Sequence, residues 1–271
     1  MLRMRVVGGL VVLAVAAALP AAAQDATIGF DAAFNSSYVW RGLSLTNKPV
    51  IQPDVWISAY GFTGGAWANV EPSSYTGAKD ISENGTDGAG IAEIDLWLEY
   101  ARATGNVNWK LGWTIYTYDT NNSGLTAFYD THEFYGQASI SGLPVTPQLY
   151  VAYDIDKVKG AYIVPSLSYG VKAGPNLTIN LTALAGISAG QEVSANDVSA
   201  NFAKSGLAHM DFSASTSFSA GSITIAPQFH VQWCRDDFTK IASPTTQHST
   251  KVWGGVTLSW SHGFGASSAS E

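Results

Sequence analysis

The stretch Val107-Asn108-Trp109-Lys110-Leu111-Gly112-Trp113-Thr114-Ile115-Tyr116-Thr117 places its apolar residues one position in two. Val107, Trp109, Leu111, Trp113 and Ile115 fall on one face; Asn108, Lys110, Gly112, Thr114 and Tyr116 fall on the other. Successive strand side chains point to opposite faces, so this is a strand with an apolar neighbour on one side and a polar one on the other. Its length matches the roughly 9–11 residues with which a tilted strand crosses a bilayer.

The same period recurs outward from that stretch. Leu177, Ile179, Leu181, Ala183, Ala185 and Ile187 oppose Thr178, Asn180, Thr182, Gly186 and Ser188; Ile223, Ile225, Phe229, Val231 and Trp233 oppose Thr224, Gln228, His230 and Gln232. Met210, Phe212, Ala214 and Phe218 oppose Asp211, Ser213, Ser215 and Ser217. The pattern predicts about twelve strands, at 27–38, 50–60, 64–71, 91–103, 107–118, 131–141, 147–156, 160–170, 176–188, 208–219, 222–233 and 250–262, with ten as the lower bound. Segment 160–170 lacks clean alternation, and 64–71 is short. The expected fold is all-β, a closed antiparallel transmembrane β-barrel.

Connections alternate in length. Those at Gly61–Thr63, Thr104–Asn106, Gly142–Thr146, Val171–Pro175 and Ala220–Gly221 are tight, whereas 39–49, 72–90, 119–130, 189–207 and 234–249 are long and polar. Only 157–159 departs from the alternation. An even-stranded barrel with both termini in the periplasm has this form, whereas a soluble sandwich mixes loop lengths at both ends. Tyr38, Trp40, Tyr60, Trp97, Tyr100, Tyr116, Tyr118, Trp233, Trp253 and Trp260 fall near strand ends, where an interfacial belt is expected. Pro53, Pro165 and Pro227 lie inside strands and each removes a ladder donor, so bulges are expected there.

Composition narrows the classes. The chain has 27 Gly, 9 Trp, 12 Tyr and 11 Phe beside only 13% charged residues. Its start, with Arg3 and Arg5, an apolar run from Val6 to Leu19, then Pro20 and Ala21-Ala22-Ala23, has the form of a secretory signal peptide cleaved after Ala23. The expected organisation is therefore a leader at 1–23, a barrel at 24–264 and a tail at 265–271. Two of the 14 basic residues lie in the leader but none of the 21 acidic ones do, so the processed chain is more acidic than the formal −7. Nucleic acid is excluded as a partner for want of a basic face. Cys234 is the single cysteine, so no internal disulfide is possible.

The first long connection reads Ser36-Ser37-Tyr38-Val39-Trp40-Arg41-Gly42-Leu43-Ser44-Leu45-Thr46. It resembles the opening signature of the TorF-type proteobacterial porin family, in which a Ser-x-Tyr-x-x-Arg-Gly-x-Ser-x-Thr pattern ends the first strand; Tyr38, Arg41, Gly42, Ser44 and Thr46 fit it. Glu93-Ile94-Asp95-Leu96 with Tyr100, and Gly112 to Tyr118 followed by His132-Glu133-Phe134-Tyr135, are similar as well, so the likeness covers about residues 27–141. The resemblance implies an outer-membrane barrel with a pore and supplies no substrate. One departure is the C-terminus: outer-membrane strands commonly finish on an aromatic, but here Phe264 is followed by Gly265 to Glu271.

If the apolar faces meet lipid, the opposite parity sends Asp31, Asp54, Glu93, Asp95, Glu99, Glu133, Asp154 and Asp211 inward, against Lys110 and the titratable His230. Such a lining concentrates cations, because a low-dielectric wall focuses a field of one sign. The alternative is a packed polar interior, since twelve strands lie between the filled barrels of about eight and the open ones of about sixteen. Arg41 is expected to fold inward and pair with Glu93 or Asp95, as a guanidinium matches carboxylates bidentately. Asp80 to Gly88 offers oxygen ligands around a turn, but its spacing is not that of an EF-hand and a solvated acidic loop explains it.

No catalytic, metal or cofactor site is expected. The chain has no Gly-x-Ser-x-Gly, dinucleotide fingerprint or phosphate loop. Its histidines, His132, His209, His230, His248 and His262, are scattered singly. A lipase would need a Ser–His pair on the lipid face; His132 and His262 have outward parity, which interfacial placement also explains.

The leading functional expectation is an outer-membrane channel of a Gram-negative bacterium, passing small solutes or cations passively and not acting as an enzyme. Expected partners are outer-membrane lipid, lipopolysaccharide and the assembly machinery. The alternatives are a closed adhesive barrel working through loop aromatics such as Tyr75, Phe128 and Tyr129, a membrane-embedded lipase, and a soluble periplasmic β-sandwich binding protein.

Overall fold

The two-residue period becomes a wall in a computed structural model that describes residues 26–72, 90–118, 130–191, 202, 204–234 and 250–264. The strands are β1 (Ala26–Asn35), β2 (Tyr38–Trp40), β3 (Leu43–Thr46), β4 (Val50–Ala59), β5 (Phe62–Glu71), β6 (Gly90–Thr104), β7 (Val107–Tyr118) and β8 (Thr131–Ile140). They continue with β9 (Thr146–Asp154), β10 (Ala161–Lys172), β11 (Thr178–Ala189), β12 (Gly206–Ser215), β13 (Phe218–Ala220), β14 (Ile223–Cys234) and β15 (Thr250–Phe264).

Each wall strand pairs antiparallel with its sequence neighbour, β1 pairs with both β4 and β15, and β12 pairs with β14, so the sheet closes on itself. β12 and β13 lie along β14 in one continuous register, Ser215↔Gln228 and then Phe218↔Ile225, and count as one wall strand. The result is a closed antiparallel barrel of 12 strands, with β2 and β3 forming a separate hairpin. Segments 160–170 and 64–71, irregular or short as sequence, are full wall strands. Closure explains why: a sealed cylinder leaves no unpaired edge, so the neighbouring ladders hold even a weakly patterned segment.

The outside is apolar. Phe30, Phe62, Leu111, Phe134, Leu167, Phe212, Phe229 and Val252 project from it, each about half exposed or more. Buried polar groups, including Gln52, Asn69, Glu93, Glu133, Asp154 and Gln232, lie on the opposite face. That inversion of the soluble-protein pattern is what a lipid surroundings demands. Both chain ends of the wall, Ala26 and Phe264, lie side by side at one rim. The tight turns share that rim; at one of them Tyr60 (φ 56) and Gly61 (φ 85) make the two-residue turn between paired Ala59 and Phe62.

The expected bulges at the prolines are not there. Register is unchanged across Pro53, Pro165 and Pro227; instead each proline opens a short gap in one flanking ladder while the other ladder stays continuous. A strand residue directs its N–H to one neighbour only, so proline's missing donor affects one side. The break between β12 and β13 faces Pro227, whose carbonyl still accepts from the Thr216 N–H at 3.2 Å. Register shifts occur elsewhere in the wall, at Asn69/Val70 and Gly186/Ile187.

The leader at 1–23, the Asp80–Gly88 loop, Tyr75, Phe128, Tyr129, His248 and the tail at 265–271 lie outside the described residues.

Candidate functional site

The signature connection between β1 and β4 turns into the barrel. Trp40 pairs with Leu43 across Arg41 (φ 48) and Gly42 (φ 88), a two-residue turn with both central residues left-handed. Glycine is required at the second place on two counts, because a Cβ there would also sit 2.9 Å from the His209 ring. This tight tip lets the hairpin reach across the interior. Tyr38 donates from its hydroxyl to Glu93 on β6 at 2.9 Å. Arg41 binds both oxygens of Glu133 on β8, at 2.5 and 2.7 Å, with its guanidinium 4.4 Å from the rings of Trp40 and of Tyr162 on β10. The Cys234 thiol on β14 donates to the Gly42 carbonyl at 3.0 Å. Leu43 packs with Tyr162, Phe202 and Ala208. Ser44 and Thr46 are buried on the returning limb.

Arg41 therefore turns inward, but its partner is Glu133 and not Glu93 or Asp95. Tyr38 occupies Glu93, and the hairpin carries the guanidinium past β6 to the far wall. The Arg41 and Glu133 side chains are 6% and 2% exposed. Glu133 also accepts from the Tyr116 hydroxyl at 3.1 Å.

Around the hairpin, the half of the interior nearest the long loops is packed with paired polar groups. Asn35 donates to Gln52 (2.8 Å) and Gln52 to Asn69 (3.1 Å), a ladder across β1, β4 and β5. Asp154 accepts from Thr131 Oγ1 at 2.6 Å and from the backbone N–H groups of Asp156, Val158 and Lys159, fastening the short connection after β9. Asp211 meets His230 at 3.0 Å, and His230 stacks on Trp253 at 3.9 Å. His209 touches the Tyr162 hydroxyl and lies 2.8 Å from Gln232. Lys251, His209 and Glu71 are buried here too, and sequence reasoning had not placed them inside. The face of each was available from the sequence: Lys251 shares parity with Trp253, Thr257 and Ser259, His209 with Asp211 and Ser213, and Glu71 with Trp67 and Asn69.

Nearer the tight turns the wall repeats one arrangement. An aromatic ring on one strand lies over an inward glycine of the preceding strand and donates to a carboxylate. Trp56 covers Gly29 and donates to Asp31 at 2.8 Å; Trp97 covers Gly65 and donates to Asp54 at 3.2 Å. Tyr135 covers Gly112 and donates to Glu99 at 2.9 Å, where Lys110 also meets Glu99 at 2.9 Å. Glycine lets the ring lie flat along the wall, a form of cross-strand rescue. The interior side chains below, such as Ser58, Ser139, Ser168 and Thr182, are half-exposed. A cavity of about 330 Å³ at this end is lined by Ala101, Arg102, Asn108, Trp109, Lys110, Gln137 and Ser139.

These contacts correct the aromatic belt. Trp97, Tyr116, Tyr118 and Trp253 stand on the inward face, and Tyr38 and Trp40 are in the hairpin; Tyr60, Tyr100, Trp233 and Trp260 remain outside. Parity carried the information, since Trp97 shares a face with Glu93, Asp95 and Glu99. On the outer surface His132 stacks on Trp113 at 5.6 Å, and His262 packs against Trp260 and Phe264 at 6.2 and 4.9 Å.

The model of the family Gcw_chp, described as bacterial proteins of unknown function, matches residues 20–263. No curated protein matches. Among solved structures, an outer membrane channel from Pseudomonas putida F1 superposes with a TM-score of 0.51 at 12% identity, covering 90% of this chain and 97% of that one. LpxR from Salmonella typhimurium gives 0.47 at 8% identity, covering 86% and 99%. The translocator domain of the autotransporter NalP from Neisseria meningitidis gives 0.44 at 9%, covering 93% and 94%. The first likeness is one of fold: the closed antiparallel barrel is similar to that of an outer membrane channel.

Proposed function

The chain belongs to Gcw_chp, a bacterial family of unknown function, and on that premise we propose that it is a porin-like outer-membrane channel of the TorF type, exported through a cleaved leader. It passes small solutes by diffusion, without catalysis, and prefers cations. One observation carries this reading: the inward face holds Asp31, Asp54, Glu71, Glu93, Asp95, Glu99, Glu133, Asp154 and Asp211, nine carboxylates, against the described cations Arg41, Lys110, Lys172 and Lys251. Excess carboxylate behind a low-dielectric wall raises the local cation concentration. The β2–β3 hairpin is the constriction, and the Ser- and Thr-rich half below it is the vestibule.

The reading is tested by purified protein in a planar bilayer under a KCl gradient. Discrete current steps with a reversal potential on the cation side are expected; anion preference refutes the acidic pore. A second reading, a permanently closed structural barrel, is favoured by the hairpin's contacts with the far wall. It predicts no steps in the native protein or in the Arg41→Ala variant.

A further inference from the structure

Asp31 and Asp54 stand directly opposite each other on β1 and β4. Like charges in that relation repel, and among the described residues neither makes an ion pair. Their surroundings are aromatic. In the next row toward the tight turns, Gly29, Trp56, Gly65 and Trp97 alternate across β1, β4, β5 and β6. Each indole is fixed twice: its N–H is held by one of the two carboxylates, at 2.8 and 3.2 Å, and one ring face is pressed on a glycine. A Cβ on Gly29 would lie 2.1 Å from Trp56, and one on Gly65 would lie 2.9 Å from Trp97. Both indoles are only half-buried and stand on the same inward face as the two carboxylates.

We propose that Asp31 and Asp54, with the indole faces of Trp56 and Trp97, form a binding site for organic cations, namely protonated amines and guanidinium groups. The proposal rests on the cation-preferring channel above and names the class of solute that the channel holds. Two fixed negative charges attract any cation, but two π faces discriminate. Tryptophan is the strongest of the aromatic cation partners; a guanidinium, more weakly hydrated than an ammonium, gains from it, and so does the ammonium of a protonated amine. Among the described residues no group of three or more His, Cys, Asp or Glu gathers to hold a metal ion, and two carboxylates alone would leave most of a divalent ion's shell to water. The same interior already uses this chemistry on its own side chains: Arg41 lies between Trp40 and Tyr162, 4.4 Å from each ring, and Lys110 lies 5.8 Å from Tyr135.

The test titrates the detergent-solubilised protein with ethylammonium chloride against potassium chloride at constant ionic strength, following tryptophan emission, and repeats the series as block of potassium current in bilayers. Ethylammonium is expected to bind, and Trp56→Leu with Trp97→Leu to weaken its block of the potassium current about tenfold. Asp31→Asn with Asp54→Asn is expected to abolish ethylammonium binding and reduce cation preference. Gly29→Ala, which pushes the Trp56 ring off the wall, should weaken ethylammonium in the same sense. If the leucine pair does not fold, Trp56→Phe with Trp97→Phe keeps the rings and should give an intermediate affinity. Unchanged affinity in the folded tryptophan variants, or calcium binding without ethylammonium binding, overturns the site. A native channel that shows no cation preference, yet binds ethylammonium in a tryptophan-dependent way, overturns the channel reading and leaves the site standing.

Discussion

The two halves of the barrel interior use charge in opposite ways. Near the long loops, Glu133, Asp154 and Asp211 are buried and each is tied to a named donor, and the hairpin tip is locked among them. Toward the tight turns, Asp31 and Asp54 face each other half-exposed, held only by indole N–H groups. Taken together, the halves show that a carboxylate on the inward face is not in itself a pore charge. It fastens structure where a cation, a hydroxyl or a set of backbone N–H groups saturates it, as at Glu133, Asp154 and Asp211, and on the proposed reading it acts on solutes only where its partners are few.

The largest way to break this comparison is to remove one partner of the buried pair. Glu133→Ala leaves Arg41 charged, buried and without its bidentate acceptor, which costs about 3–5 kcal/mol. Urea unfolding of the protein refolded into lipid vesicles should report a loss of that size. Adding Arg41→Ala to the same background should recover part of it, because two missing charges cost less than one orphan. A double variant weaker than either single one contradicts the pairing as the hairpin's main fastening. The double variant also removes the latch, so its single-channel conductance should exceed the native value.

Next in size is the turn itself. Gly42→Ala forces a left-handed backbone on a side chain that also meets His209, a strain of about 1–3 kcal/mol. The hairpin should then spend more time away from the wall. Cys234 reports this directly, being the single cysteine of the chain, buried, and bonded to the Gly42 carbonyl. Its labelling by a small thiol reagent should speed up several-fold in Gly42→Ala. Native-rate labelling would mean that the tip is held by something other than this turn.

Much of the fold could be read from the chain alone, because lipid outside and water inside impose a two-residue period that composition cannot hide. The inward parity of Glu93, Asp95 and Asp54 followed from the same period. What the period does not contain is the third dimension of the barrel. Arg41 and Glu133 are 92 positions apart and meet across the lumen, so their pairing depends on hairpin reach, which no local pattern records. Trp97 and Trp253 stand inside for another reason: a ring near a strand end still belongs to the face that its parity assigns. The proline bulges are absent because a missing donor opens a gap toward one neighbour only, and the other ladder keeps the register.

The smallest effect belongs to the half without a plug. Ser168 and Thr182 share a hydroxyl–hydroxyl bond of 2.9 Å across β10 and β11, and both are half-exposed to the interior. Cross-strand pairs of this kind contribute only about 0.2–1 kcal/mol, and here water replaces the lost partner. Ser168→Ala should therefore shift the urea midpoint by less than the error on the Glu133→Ala measurement, within about 0.5 kcal/mol of native. The same pair placed in a dry interior would leave an unsatisfied hydroxyl, which costs about 1–3 kcal/mol. A loss of that larger size at Ser168 would show that the half below the hairpin is closed to water, and the vestibule with it.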